Sequence, residues 1–427
     1  MRAFTSRNLS ILSVFLMMLM LVSWQFMAIQ SVSASPVAKM YVNPQNQTVS
    51  ASFTVDINVT DVTDMYDWEF NLNYSTSIIT ATGITEGPFL KSNVEELWVS
   101  DNDDFIYKVF CADPDSSVAS WDCGTSRPYG VEYVNGYVYY VDYGSDDLFK
   151  KTTAGGAVAS WDISGYAGDA YGLGWNGTHF LIADSGDDCI YFVDPADPTT
   201  SVKSITYTGA SAPESVTFDG THIWVGDTGT EYWYELDPSD GTIISSFYFG
   251  ADINGLAHDG TNLWVAYPGH VDYYETDGTA LATYTGPGPS PEGLGFTTSP
   301  RSTWYSGGTI DDANGWLNAS ASIVGDIPGV TGSGTLATIS FDIDSSGTSA
   351  LDLWQTTLEA YNYTGDKTLD RITHVRYDGS VTTTGVPEFP LGAAAEIAIA
   401  GVVIYLWWRR RKTKLYKSPP HLYSSTP

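Results

Sequence analysis

The sequence predicts an all-β chain: a β-propeller inserted into a β-sandwich, with one transmembrane helix towards the C-terminus. Three observations predict it. A phrase first met at Leu97 returns with a period near 40 residues. The stretches on either side of the repeats alternate apolar and polar residues in short runs, as strands with one buried face do. The composition favours strands and tight turns, with Gly 41, Tyr 28 and Trp 14 among 427 residues and only 16% charged. A chain of this length is expected to hold two folded units.

Residues 1–34 read as a signal peptide. Arg2 and Arg7 precede an apolar run from Ile11 to Val22, and Val32-Ser33-Ala34 supplies a small-residue cleavage pattern. The other reading is an uncleaved anchor, because Trp24 to Ile29 prolongs the apolar stretch.

Residues 35–91 read as the first half of the sandwich. "SFTVDINVTDV" (Ser52 to Val62) and "WEFNLNY" (Trp68 to Tyr74) both alternate. The second half, residues 301–384, carries "GWLNASASIV" (Gly315 to Val324), "GTLATISFDI" (Gly334 to Ile343) and "ALDLWQTTLEA" (Ala350 to Ala360). These are short strands separated by Gly and Asp turns, the pattern of an antiparallel sandwich. Neither half alone has strands enough to close two sheets.

Residues 92–300 hold the repeat. "LWVSD" (Leu97), "YYVDY" (Tyr139), "LIADS" (Leu181), "IWVGD" (Ile223) and "LWVAY" (Leu263) follow one another at 42, 42, 42 and 40 residues. Asn135-Gly136, Asn176-Gly177, Asp219-Gly220 and Asp259-Gly260 precede the last four. Such pairs favour the positive-φ geometry of tight hairpins. A period near 40 with four short strands marks a propeller blade. In one unit the inner strand is "ESVTF" (Glu214 to Phe218), followed by "HIWVG" (His222), "YWYELD" (Tyr232) and "TIISSF" (Thr242). Leu97 has no inner strand before it, whereas "EGLGF" (Glu292 to Phe296) is surplus after the last unit. The final strand is therefore expected to complete the first blade. The count is five blades, with a sixth, degenerate blade as the alternative. Closure of this kind puts both ends of the insert side by side, so a host domain tolerates it.

Residues 385–390 read as a linker and residues 391–408 as the transmembrane helix. Leu391 to Trp408 is an apolar run of 18 residues, about 27 Å as a helix, which is enough to span. Arg409-Arg410-Arg411-Lys412 opens the tail 409–427 and is expected in the cytoplasm. The segment between signal and span then lies outside, at the cell surface. Glu396 is expected at the membrane interface, near the start of the run.

Charge narrows the partners. Between Ser35 and Pro390, 11 Lys+Arg stand against 49 Asp+Glu. Such a surface repels nucleic acid, so no nucleic-acid partner is expected, and it tolerates cations. Asn46, Asn58, Asn73, Asn176, Asn318 and Asn362 are glycosylation sequons. Three cysteines are too few for a disulfide scaffold. Cys111 and Cys123 flank one predicted hairpin and are a candidate disulfide; Cys189 is expected as a small buried residue.

Candidate chemistry gathers where the inner strands begin. Tyr129, Tyr171, Glu214, Asn254 and Glu292 occupy equivalent positions around the expected channel mouth, with Arg127, Asp169 and Asp252 just before them. Glu214, Asn254 and Glu292 offer oxygen ligands for a hard cation such as Ca2+. Aromatic rings with polar neighbours equally suit a small ligand such as a sugar. A solvated mouth without ligand is the third reading. The acidic loops "SDNDDF" (Ser100), "YGSDDL" (Tyr143), "DSGDDC" (Asp184) and "DTGTEY" (Asp227) recur at one blade position and lack the EF-hand pattern. Turn formation explains them more simply than metal binding. His179 and His222 share a repeat position, which argues for a structural role at the strand start; His258 and His270 belong to one blade. No spacing matches a zinc site or a nucleophile triad, so no catalytic residue is assigned.

The flanks also resemble a known family. "VNPQNQTVSASFTVDINVTDVTDMYDWEFNLNYSTSII" (Val42 to Ile79) is similar to the opening of cohesin domains, and "GWLNASASIVGDIPGVTGSGTLATISFDI" (Gly315 to Ile343) to their later half. "YSTS" at Tyr74 departs from the Tyr-Asp-Pro that many cohesins have there. The resemblance implies a jelly-roll sandwich related to carbohydrate-binding modules, with a dockerin-binding or assembly role. "RPYGVEYVNGYVYYVDYGSDDLF" (Arg127) and "SPEGLGF" (Ser290) resemble NHL-type propellers, which host both binders and enzymes. "VPEFPLGAAAEIAIAGVVIYLWWRRRK" (Val386 to Lys412) looks like the Pro-Glu-Phe-type C-terminal sorting signal of archaeal surface proteins.

The sequence thus reads as a membrane-anchored surface protein that binds rather than catalyses. The expected partner is an extracellular carbohydrate or a dockerin-like protein. The rival is an extracellular propeller enzyme of lyase or lactonase type, acting on a sugar or lactone with a channel-mouth metal.

Overall fold

The computed structural model describes residues 37–384, apart from 125–126, 363–364 and 366. The predicted signal peptide, linker, transmembrane helix and basic tail lie outside the described residues. Among those described, no helix is long and apolar enough to cross a membrane. Within them, one short 3-10 turn, Phe89–Lys91, is the helical element, and the other elements are strands.

Five four-stranded antiparallel sheets form the propeller. From inner to outer strand, blade 1 is Pro291–Ser299, Val94–Asp101, Phe105–Phe110 and Asp113–Asp122. Blade 2 is Pro128–Val134, Tyr137–Asp142, Asp147–Thr152 and Ala157–Asp162. Blade 3 is Ala170–Trp175, Phe180–Asp184, Cys189–Val193 and Ser201–Ile205. Blade 4 is Pro213–Phe218, Ile223–Asp227, Tyr232–Leu236 and Ile243–Tyr248. Blade 5 is Gly255–His258, Leu263–Tyr267, His270–Tyr274 and Ala280–Ala282. The chain closes the ring with its last propeller strand, which sets Phe296 opposite Leu97 and Gly295 opposite Trp98. The five-blade count and the exchange of the final strand are as the repeat predicts.

Alternation along each strand sends neighbours to different blades. Leu97, Val99 and Val109 pack with Ala257, Trp264 and Val271 of blade 5. Trp98 and Ile106 pack with Val131, Val138 and Tyr140 of blade 2. The same alternation overturns the candidate disulfide. Cys111 and Cys123 are free and buried, Cys111 on the blade 5 side of blade 1 and Cys123 on the blade 2 side. Cys189 is likewise free and buried.

The inner strands approach closely, and glycine permits it. A Cβ on Gly293 would come within 2.1 Å of the Tyr129 carbonyl oxygen, and one on Gly255 within 2.4 Å of the Glu292 oxygen. Each of these glycines directly follows a channel-mouth residue, so the tight ring and the mouth share the same stretch of strand.

The two flanks pair into one eleven-stranded sheet system with one core. Its spine is Phe53–Asn73, 21 residues long. Two strands were expected here, Ser52 to Val62 and Trp68 to Tyr74; they run on as one. Asp61 (φ 60°) and Asp64 (φ 52°) take left-handed backbone between them, and the partner Val330–Ile343 slips register opposite. Such bulges bend a strand without ending it. Its first part pairs with Ala38–Asn43 and Val330–Ile343, its second with Trp316–Ile323 and Gly347–Tyr361. Met40, Ile57, Trp68, Phe70, Ile339 and Phe341 meet in the shared core. Residues from before and after the propeller are thus needed together.

Among the sequons, Asn46, Asn73 and Asn362 are exposed. Asn58 lies mid-sheet between Tyr41 and Thr335, and its amide oxygen is shut off from solvent. That placement disfavours Asn58 as a glycan acceptor.

Arg301 clamps the junction of the two units. Its guanidinium donates to the carbonyls of Ser92 (2.8 Å) and Asn93 (2.8 Å) on the way into the propeller. The same group donates to the carbonyls of Pro328 (3.3 Å) and Gly329 (2.9 Å) in the unit that the flanks form. Asp64 accepts from the Gly329 N–H at 2.6 Å.

Candidate functional site

The loops that open the inner strands are positioned by buried aspartates. Asp101, Asp142, Asp184 and Asp227 end the second strands of blades 1 to 4. One carboxylate oxygen of each accepts a backbone N–H from the loop before an inner strand: Ser290 (2.9 Å), Arg127 (3.0 Å), Asp169 (3.1 Å) and Ser211 (2.9 Å). The other oxygen closes the following turn on the N–H groups of Asp103, Ser145, Asp187 and Thr230. The acidic loops are therefore loop anchors, as their recurrence suggests. Blade 5 departs from this. Tyr267 replaces the aspartate, its hydroxyl donates to Asp272 (2.7 Å), and Asp272 accepts the Tyr284 N–H (2.9 Å).

On these anchors the five equivalent residues converge. Tyr129 and Tyr171 stack with ring centroids 4.7 Å apart. Tyr143 leans on both, at 5.7 Å and 4.7 Å, and the Arg127 guanidinium lies 5.5 Å from its ring. Asn254 donates its amide to Glu292 at 2.8 Å. The Thr228 hydroxyl donates to Glu214 at 2.8 Å, and Ser290 to Glu292 at 3.2 Å. One side of the mouth is thus three clustered phenols, two of them stacked, the other two carboxyls and an amide.

Burial dominates the electrostatics. Glu292, only 9% exposed, has its carboxyl pushed up to about 7, chiefly by burial and then by the charges of Asp101 and Glu214, against hydrogen bonds from Ser290 and Asn254. Glu214 is also raised, first by burial, with Asp252 and Asp227 adding to it. Tyr129 and Tyr171 are raised by burial and then by the facing carboxylates, Glu292 and Glu214 respectively. The inner strands that carry Tyr129, Tyr171, Glu214 and Glu292 pack side by side around the ring, which brings the four residues to one end of it.

Of the flanking residues, Asp252 is exposed and acts on Glu214. Asp169 sits against Gly186, and its charge is felt by Asp146. Glu214, Asn254 and Glu292, the expected cation ligands, adjoin the mouth, but Asn254 turns its NH2 towards Glu292. Sequence reasoning missed Tyr143 and Thr228. Both directly follow the anchoring aspartate of their blade, and that fixed offset was the signal available.

The histidines are dispersed. Nδ1 of His258 accepts the Gly260 N–H at 3.0 Å, its ring stacks on Trp224, and burial lowers its pKa. His270 stacks on Tyr267 with centroids 4.7 Å apart.

No protein-family model and no curated protein matches the chain. Solved structures of low similarity do. A glutaminyl cyclase from Myxococcus xanthus is 10% identical, covering 68% of this chain and 100% of that one, with a TM-score of 0.34. A streptogramin B lyase is 12% identical, over 59% of this chain and 98% of that one, with a TM-score of 0.32. A chain of a nidogen/laminin complex is 14% identical, over 47% and 98%, with a TM-score of 0.36. Likeness at this level leaves activity to be argued from the side chains.

Proposed function

We propose that this is a non-catalytic binding protein of the cell surface, whose propeller mouth takes an extracellular carbohydrate. The observation that carries the reading is the divided mouth: Tyr129, Tyr143 and Tyr171 form one ring cluster, and Glu214, Asn254 and Glu292 stand on the neighbouring inner strands. A sugar ring has an apolar face for the phenols and hydroxyls for the carboxyls and amide. Asp252 extends the acidic side, and its carboxyl with those of Glu214 and Glu292 supplies oxygen ligands of the kind Ca2+ takes. The sandwich, read as a cohesin-like jelly roll, is the unit suited to a dockerin-like protein partner. The apolar run 391–408 with its basic tail supports attachment to the membrane.

The test is binding of the purified full-length chain to a polysaccharide panel, with calcium and with chelator. Tyr171→Ala and Glu214→Gln are expected to abolish binding while the circular dichroism spectrum stays unchanged. Failure to bind any polysaccharide in either condition removes the carbohydrate reading and turns the search to protein partners.

One observation favours a second reading, an extracellular enzyme of lyase or lactonase type. The Glu292 carboxyl, at about 7, exchanges protons near neutral pH as a general acid or base must. Turnover of a sugar or lactone that disappears in Glu292→Gln, with ligand affinity retained, would establish it.

A further inference from the structure

We propose that Asp219, His222 and Glu235 of blade 4 form a binding site for a first-row divalent cation of the Zn2+ class, separate from the channel mouth. One ligand atom of each lies within 4.8 Å of the others, and among the described residues this is the group of three His, Cys, Asp or Glu that meets that condition. His222 Nδ1 stands 2.8 Å from Glu235 Oε1 and 3.9 Å from Asp219 Oδ2. Ligands bound at about 2.0–2.1 Å in a tetrahedron sit roughly 3.3 Å apart. The two observed separations straddle that value, so small side-chain movements admit an ion, with the Nδ1 proton released to solvent.

Both carboxylates are already oriented by second groups. Asp219 Oδ2 accepts from Trp224 Nε1 at 2.9 Å, and Glu235 Oε2 accepts from the Ser245 hydroxyl at 2.7 Å. Outer hydrogen bonds of this kind are what hold ligands in place for a metal. One imidazole with two carboxylates suits Zn2+, Mn2+ or a similar ion better than Ca2+, which takes oxygen throughout.

The sister blades show that the fold does not require this trio. Glu235 pairs with Trp224, as Phe192 pairs with Leu181 in blade 3 and Tyr273 with Trp264 in blade 5. Blade 3 combines Asn176, His179 and Phe192, and its histidine packs edge-on against the phenyl ring. Blade 5 combines Asp259, Asn262 and Tyr273, closed by hydrogen bonds from the Tyr273 hydroxyl to Asp259 (2.5 Å) and from the Asn262 amide to Tyr273 (2.9 Å). In all three the turn residue caps the next N–H groups through its side-chain oxygen. Capping therefore needs neither His222 nor Glu235, and blade 4 alone of these three places an imidazole or a carboxylate at every position. The site opens on a groove of about 620 Å³ between blades 4 and 5, lined by Asp219, Trp224, Glu235 and His258. A fourth ligand, water or a small molecule, reaches the ion from there.

The experiment strips untagged full-length protein with chelator and titrates it with Zn2+ alone, counting bound metal by mass spectrometry. One Zn2+ per chain is expected. His222→Asn and Glu235→Tyr, the residues blade 5 carries, are each expected to weaken binding at least about tenfold without changing the melting temperature in chelator. Glu214→Gln/Glu292→Gln is expected to leave zinc binding intact. Loading the wild type with Co2+ supplies a readout independent of variant folding: its spectrum should report nitrogen and oxygen ligands. No stoichiometric binding, binding untouched by both blade 4 variants, loss in the channel-mouth double variant, or a thiolate band overturns the proposal.

Discussion

Asn254 donates its side-chain amide to the Glu292 carboxylate at 2.8 Å, tying the start of blade 5 to the strand that closes blade 1. The bond spans the seam where the chain's last propeller strand meets its neighbour. The same carboxyl is buried and held near pH 7, so ring closure and mouth chemistry meet in one residue.

Glu292→Gln should therefore change how stability depends on pH. The folded carboxyl titrates at about 7, above its ordinary 4.5. Its contribution is full below the unfolded value and is lost as pH rises through the folded one. Glutamine keeps an acceptor for Asn254 and carries no charge. The variant should match wild type at about pH 4 and exceed it by up to about 3 kcal/mol at about pH 8. Urea unfolding at both pH values checks this, and a difference that ignores pH means the carboxylate is hydrated.

Glu132 extends the argument to the propeller wall. It is buried on the inner strand of blade 2, where its carboxyl accepts the Tyr133 N–H at 2.9 Å. Burial pushes it up to about 8. The sign is the same: stability present in acid is lost as pH rises through about 8. Thermal melts between about pH 6 and pH 9 should fall steeply for wild type and less for Glu132→Gln, by an amount of order a few kcal/mol.

Gly293→Ala should loosen the ring. The new methyl would lie 2.1 Å from the Tyr129 carbonyl oxygen, backbone that does not yield. A cost of about 1–3 kcal/mol is expected in chemical denaturation. Gly83→Ala, where a Cβ meets nothing within 4 Å, should stay within about 0.5 kcal/mol of wild type.

Arg301→Lys should uncouple the two units although it keeps the charge. A guanidinium reaches Ser92 and Asn93 with one nitrogen and Pro328 and Gly329 with the others. An ammonium has three donors on a single atom and cannot hold both sides. A loss of about 2–4 kcal/mol is expected, and calorimetry should resolve two transitions where wild type shows one. A single unshifted transition would show that Arg301 bears little on the junction.

The propeller was largely legible because its signals are local. Period, turn pairs and the surplus "EGLGF" each speak of a few neighbouring residues, and the equivalent positions Tyr129 to Glu292 follow from counting. Three things were not legible. The facing of Cys111 and Cys123 depends on strand parity across a bulged outer strand. The continuity of Phe53–Asn73 depends on two aspartates in left-handed backbone, which read in sequence as a turn. The trio Asp219, His222 and Glu235 hid behind the repeat, because the likeness of His179 to His222 says nothing of what stands on the facing strand.

By itself the sequence determined the β-propeller, its closing strand and the equivalence of the mouth residues, and it favoured five blades over six. All rest on periodicity and turn chemistry, which act over a few residues. Only the tertiary structure decided which side chains face one another: phenols against carboxyls at the mouth, histidine against glutamate in blade 4, one arginine between two units. Those juxtapositions join residues distant in the chain, and their energetics come from burial and close contact, which exist only once the strands have packed.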